Sequence, residues 1–166
     1  SGKTISIDFD KFESGDANIL LILGLSASGK STIAKKLAPL YNAKAKDLDD
    51  CYWDIKDIED KKERKQKKLE CIKNIFKSNK RLIIEGTAIL DLPFKIVKEY
   101  PVIILGSSAM KSAYRFINRN IQDKTPLNID YAIKKNFGED YQDIAKFKED
   151  RIKIGGKVQE FKEPNR

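Results

Sequence analysis

The 166-residue chain contains no histidine. That absence removes Ser-His-Asp and Cys-His nucleophilic sites, HExxH metal sites and imidazole acid–base catalysis together. Carboxylates, lysines, arginines and hydroxyls must carry any chemistry. Cysteine is almost as scarce: Cys51 and Cys71 stand twenty residues apart with no CxxC pair. A zinc site therefore has no ligand set, and both residues are expected to be reduced thiols used in packing. Long apolar runs are missing too. Ile19–Leu25 falls far short of the ~20 residues that span a bilayer, and no apolar stretch follows a basic segment as a secretory leader requires. The expectation is a soluble, cytoplasmic protein with no membrane partner.

What is abundant is positive charge: 33 Lys and Arg against 25 Asp and Glu, a net +8. Residues 61–81 hold ten of the cations and two Glu, so this segment alone equals the whole surplus. An anionic partner is implied. Lys61–Lys68 reads most simply as a solvated helical face; the other reading, over Lys61–Arg81, is a phosphate-tracking surface for DNA or RNA, recognisable by salt-sensitive binding. The length suits one domain, 1–166, and no repeat or low-complexity stretch marks a second.

Ile19–Gly24 (ILLILG) is a branched apolar run closed by glycine, the pattern of a strand buried on both faces. Leu82–Glu85 (LIIE) and Val102–Leu105 (VIIL) repeat it. Tyr41–Asp49 is too charged to be central, Thr4–Phe9 alternates as an edge strand does, and Lys157–Phe161 is a marginal last strand. Helical periodicity covers Lys30–Ala38, ended by Pro39; Ile55–Phe76, with Ile58, Leu69, Ile72, Ile75 and Phe76 inward; and Ala109–Ile121. Asn128–Ile154 reads as one or two charged helices. Alternating strands and helices predict a three-layer α/β/α domain with a mostly parallel, roughly five-stranded sheet. Ligands should then bind at the carboxyl ends of its strands.

Gly24-Leu-Ser26-Ala27-Ser28-Gly29-Lys30-Ser31 matches GxxxxGK[ST], after a strand pattern and before a helical one. Such a loop converges backbone N–H groups on an anion at a helix N-terminus, Lys30 reaches the β- and γ-phosphates, and the Ser31 hydroxyl serves Mg²⁺. With glycine at roughly 7% of residues, a chance match has a probability on the order of 1%. Gly24 to Thr32 are therefore the nucleotide-binding candidates. The segment resembles the P-loop nucleoside triphosphate family. GTPase strings DxxG and [NT]KxD are absent, and the size favours a small kinase.

Two further features resemble the adenylate-kinase-like branch of small P-loop kinases, which includes nucleotide, shikimate, gluconate and polynucleotide kinases. The acid–glycine pair Glu85-Gly86 closes a strand, and Arg115-Phe-Ile-Asn-Arg119 resembles the start of a lid, about 115–130. The resemblance implies ATP and Mg²⁺ as cofactors, Arg115 against the adenine or phosphates, and Arg119 on phosphate oxygens. Without it, the two would be ordinary surface arginines. The acceptor-side helical insert would occupy about 51–80. Gly86-Thr87-Ala88 lacks the arginine that follows this pair in adenylate kinases, which argues against a monophosphate held in their way.

By the same resemblance Asp47-Leu-Asp49-Asp50 falls where related kinases carry DxD or DD acids facing the γ-phosphate. Carboxylates so placed accept the proton of an attacking hydroxyl and hold Mg²⁺, whose charge offsets their repulsion. Asp49 is the expected base, Asp50 its nearest substitute, and Asp47 or Glu85 supports the metal; the bland alternative is a helix-initiating turn capped by Asp50. Tyr52 and Trp53 are expected in the core, with stacking on an acceptor ring as the alternative. The functional expectation is an ATP- and Mg-dependent phosphotransferase acting on a small molecule or nucleotide, at a hydroxyl. The alternatives are a 5′-polynucleotide kinase and a non-catalytic ATP-switched binding module.

Overall fold

A computed structural model describes residues 3–25, 27–106, 109–122 and 134–164. In chain order these form β1 (Ile5–Ile7), α1 (Phe9–Glu13), β2 (Ile19–Leu23), α2 (Lys30–Leu40), β3 (Lys44–Asp47), α3 (Asp49–Ile55) and α4 (Lys61–Lys77). There follow β4 (Leu82–Glu85), a 3₁₀ turn (Thr87–Asp91), α5 (Phe94–Val97), β5 (Val102–Ile104) and α6 (Ala109–Gln122). A π-helical turn (Lys134–Glu139), α7 (Asp140–Lys153) and β6 (Val158–Glu160) complete the chain.

The sheet runs β3-β4-β2-β5-β1-β6. Its first four strands are mutually parallel, whereas β1 pairs antiparallel with both β5 and β6. Six strands thus stand where roughly five were expected. The charged segment 44–47 takes one edge, where alternation is tolerated. Thr4–Phe9 does supply a strand, but not an edge one: β6 covers β1 and becomes the edge itself.

Strand alternation sorts the core into two layers. Leu21, Leu23, Ile84, Val102, Ile104 and Ile7 face helices α3, α4, α5 and α7, through Cys51, Ile72, Val97 and Phe147. Leu20, Ile22, Ile83 and Ile103 face α1 and α2, through Phe12, Ile33, Ala34 and Leu37. The five residues of β2 are all buried, which is why its sequence shows no polar face.

Several expectations are corrected. The Ile55–Phe76 helix is two helices, because Asp60 caps α4 by accepting from the Lys62 N–H at 3.0 Å. Asp60 followed three residues later by Glu63 was the readable start signal. Leu69 lies outward on α4, 39% exposed. Pro39 sits inside the last turn of α2, where its locked φ suits a helix and only one hydrogen bond is forfeited.

The cysteines are not free thiols: Cys51 and Cys71 form a disulfide that ties α3 to α4, and no described cysteine remains free. Their Cα atoms are brought to 5.8 Å by helix packing, which a twenty-residue spacing does not reveal. Tyr52 and Trp53 are outside the core, since the seven-residue α3 buries Cys51 and Ile55 one turn apart. Arg81, counted with the basic segment, is consumed internally. Its guanidinium donates to the carbonyls of Tyr41, Ala17 and Phe12 and lies over the Phe12 ring at 3.9 Å.

The expected lid is described as far as 122, and its residues 123–130 lie outside the described set. Among the described residues no helix is long and apolar enough to cross a membrane.

Candidate active site

β2 ends at Leu23, and the chain turns through a loop into α2 with Gly29 at the helix N-cap, φ +98°. That left-handed conformation favours glycine, and a Cβ there would meet nothing within 4 Å, so the space above the helix N-terminus is open. Lys30 folds back over the loop, its Nζ donating to the Gly24 and Leu25 carbonyls at 2.9 Å each. The ammonium has three N–H donors; two are used here. The Ser28 hydroxyl is buried beneath the loop without a partner, and Ser26 lies outside the described residues.

The parallel register sets Asp47 of β3 opposite Glu85 of β4 at the carboxyl ends of both strands. Gly86 follows with φ +132°, a conformation that favours glycine; a Cβ there would have room, in ordinary contact with the Leu48 backbone N at 3.4 Å and Asp47 Oδ1 at 3.5 Å. The Leu48 N–H donates to the Glu85 carbonyl at 2.9 Å. Asp47 Oδ1 accepts from the Asp49 N–H at 2.8 Å, closing the turn that starts α3. The helix-initiating reading of these acids therefore holds for the Asp47 side chain, while Asp49 is aimed elsewhere.

These segments enclose a cavity of about 490 Å³ lined by Ala27, Gly29, Lys30, Ser31 and Thr32 from the loop and α2, by Asp47, Asp49, Glu85 and Thr87 from the strand ends, and by Arg115 and Arg119 from α6. Asp50 is not on its walls; it pairs with Lys46 at 3.8 Å. Thr87 was not anticipated, though it directly follows the acid–glycine pair and so had a readable place. Lys68 was counted only with the basic face, yet it pairs with Asp91 at 3.6 Å and bears on the Asp49 carboxyl.

Burial pushes Glu85 up to about 7, with Asp47 adding to the rise and Lys30 opposing it. Asp49 is also raised, first by desolvation and then by Asp47, against the pull of Lys30 and Lys68. Lys30 is lowered by burial despite the neighbouring Glu85 and Asp49, with Arg119 assisting the drop. Three acids thus share the cavity with Lys30, Arg115 and Arg119, and burial and mutual repulsion raise two of them while the Lys30 ammonium spends its hydrogen bonds on carbonyls. Among the described residues no group of three or more His, Cys, Asp or Glu is arranged to hold a metal unaided. The available donors are hard oxygens on one side of a phosphate-sized space. They suit magnesium, which takes one or two carboxylates plus waters and substrate phosphates.

A parallel sheet with the phosphate loop after its central strand defines the P-loop α/β/α class. Among solved structures the chain is similar to a shikimate kinase from Acinetobacter baumannii in complex with shikimate, with a TM-score of 0.59 and 17% identity over 83% of each chain. The likeness is one of fold. No model of a known protein family and no curated protein sequence matches the chain.

Proposed function

We propose that the protein is a small P-loop kinase that transfers the γ-phosphoryl group of ATP, with Mg²⁺, to a hydroxyl acceptor. One observation carries this reading: phosphate loop, acid pair and arginine pair, which are far apart in sequence, line a single cavity. The chain's likeness in fold to a shikimate kinase in complex with shikimate supports a kinase with a small-molecule acceptor.

Lys30 is suited to reach a phosphate oxygen, since among the described residues its ammonium donates only to the Gly24 and Leu25 carbonyls. Ser31, with Asp47 and Glu85 through water, would hold the cation, which supplies charge neutralisation to the transferring group. Arg115 and Arg119 complete the positive wall opposite the acids. Asp49, its proton affinity raised by burial and by Asp47, takes the acceptor's proton as that oxygen bonds to the γ-phosphorus and the bond to the departing ADP breaks. A positioned general base contributes about 10²–10⁴-fold; the remainder comes from positioning and fixed charge.

The test is transfer of label from ATP to a panel of nucleosides, nucleotides, 5′-hydroxyl oligonucleotides and hydroxylated metabolites. A labelled acceptor is expected with wild type and not with Lys30→Ala. If calorimetry shows that magnesium and ATP bind wild type no better than Lys30→Ala, the proposal fails. ATP consumption unaffected by every acceptor, with a partner bound differently in ATP and ADP, would mark a switch instead.

A further inference from the structure

Outside the cleft, α3 and α4 form a second concave surface that packing does not use. Tyr52 and Trp53 are 48% and 61% exposed, with their rings edge to face at 5.6 Å. Exposing two adjacent large aromatics forgoes the stabilisation that burying such side chains gains. Tyr52 forms one wall of a groove of about 550 Å³ whose opposite wall is Lys61, Lys62, Arg64, Lys65 and Lys68 of α4. No acid lines it. Asp60, next to the first of these lysines, is turned to cap the helix. Arg64 is tied to the Ile58 carbonyl and Lys68 to Asp91, whereas Lys61, Lys62 and Lys65 make no ion pair among the described residues.

Row and aromatics together select a ligand chemistry. From 61 to 68 the cations run ~10 Å along the helix, more than twice the reach of one ion pair, so a ligand with a single anionic group would leave most of them unanswered. A polyphosphate backbone answers several at once. Exposed rings beside it add stacking, which requires bases that are not already paired. The groove lies next to the cleft: Asp49, on the cleft wall, opens the helix that carries Tyr52, and the charge of Lys68, on the groove wall, bears on its carboxyl.

We propose that this groove holds a single-stranded nucleic acid and delivers its terminal hydroxyl to Asp49, so that the strand end is the phosphoryl acceptor. This rests on the phosphotransfer reading above. The terminal oxygen gives its proton to Asp49 and bonds to the γ-phosphorus, ADP departs, and the strand leaves with a terminal phosphate.

Trp53 is the only tryptophan; its ring, with Lys56 Nζ 5.3 Å from its centre, abuts Tyr52 on the groove wall, so its emission senses a strand stacked there. Oligo-dT and oligo-U with free hydroxyl ends should quench it, and affinity should fall at least tenfold between about 50 and 200 mM salt. A duplex of the same length should bind far more weakly. By anisotropy of a labelled strand, Tyr52→Ala/Trp53→Ala should lose tenfold or more in affinity. Lys61→Gln/Lys65→Gln should weaken binding and flatten its salt dependence. Both variants should keep the wild-type heat of magnesium-ATP binding, which excludes misfolding. Strands blocked at the 5′ or the 3′ hydroxyl identify the end that accepts label, and the two sugars distinguish DNA from RNA.

Equal affinity for duplex, or wild-type affinity in the aromatic double variant, overturns the proposal. So does label passing to a small metabolite while strand ends stay unlabelled, an outcome that leaves the kinase reading intact. Quenching by single strands in a protein with no heat for magnesium and ATP is the reverse case: the groove stands and phosphotransfer falls.

Discussion

At the antiparallel end of the sheet Asp8 is buried against Arg151. At the carboxyl ends of β3 and β4, Asp47, Asp49 and Glu85 crowd around Lys30. Ingredients are alike; balance is not. Asp8 accepts the Lys157 N–H at 2.9 Å, has Arg151 Nη2 at 3.8 Å and Lys11 at 3.9 Å, and gives its own N–H to the Lys157 carbonyl. Arg151, 1% exposed, sends Nη1 to the Tyr100 carbonyl at 2.6 Å. Asp8 and Arg151 thus each have a counter-charge and a main-chain partner, as buried ions require, with only the Arg151 Nε left unpartnered among the described residues of this pair. At the site, burial and neighbouring acids raise Glu85 and Asp49, and burial lowers Lys30, the pattern of groups that are poised rather than paired. One cluster ties β6 and α7 to β1; the other, in the proposed function, receives a cation and phosphates.

If the contrast is right, the two clusters should break in opposite senses. The largest effect is expected in turnover: Asp49→Asn should lower acceptor-dependent ATP consumption by about 10²–10⁴-fold with stability nearly unchanged, measured once an acceptor is known. Asp50→Asn, off the cavity wall, should change it little; equal losses in both would erase the distinction between them. Next, Arg151→Met should cost about 3–5 kcal/mol in urea unfolding, because it strands the Asp8 charge in the interior. A cost under one kcal/mol would mean that this end is no lock.

The disulfide binds the wall that carries Asp49. Reducing it, or replacing both cysteines by serine, removes a constraint on a twenty-residue loop and should cost about 3 kcal/mol, read as a shift of the denaturation midpoint. Glu85→Gln should do the opposite and stabilise. The folded protein holds the Glu85 proton up to about 7, whereas 4.5 is its ordinary value. The native state therefore carries more protons between these pH values, and its stability falls as pH rises through that window. The amide should recover about 2 kcal/mol above pH 7 and nothing at pH 4. A pH-independent difference would refute the assignment. Magnesium with ATP should shrink the same gain, since a cation favours the ionised acid.

The phosphate loop was legible because its chemistry is local: Gly29, Lys30 and Ser31 act through consecutive backbone and side-chain groups, and the buried strand before them has to be apolar on both faces. β4 and β5 were readable for the same reason, whereas Asp47 and Glu85 were singled out by resemblance to related kinases, and the register shows them side by side at the strand ends. Other features depended on partners distant in the chain. Cys51 meets Cys71 only because α3 and α4 pack together, Arg81 answers three carbonyls from separate segments, and β1 lies inside the sheet only because β6 arrives 150 residues later. Trp53 was misplaced because hydrophobicity suggests burial without saying which face of a short helix the core will take.

By itself the sequence determined an α/β chain with a GxxxxGK[ST] loop between strand and helix and no imidazole chemistry, because these follow from residue type and near-neighbour spacing. Tertiary structure alone decided which acid faces the phosphate loop, which cations are spent on carbonyls and which remain for a ligand. Charges and aromatic rings acquire a role from the distances at which folding sets them, and those distances are not written in spacing along the chain.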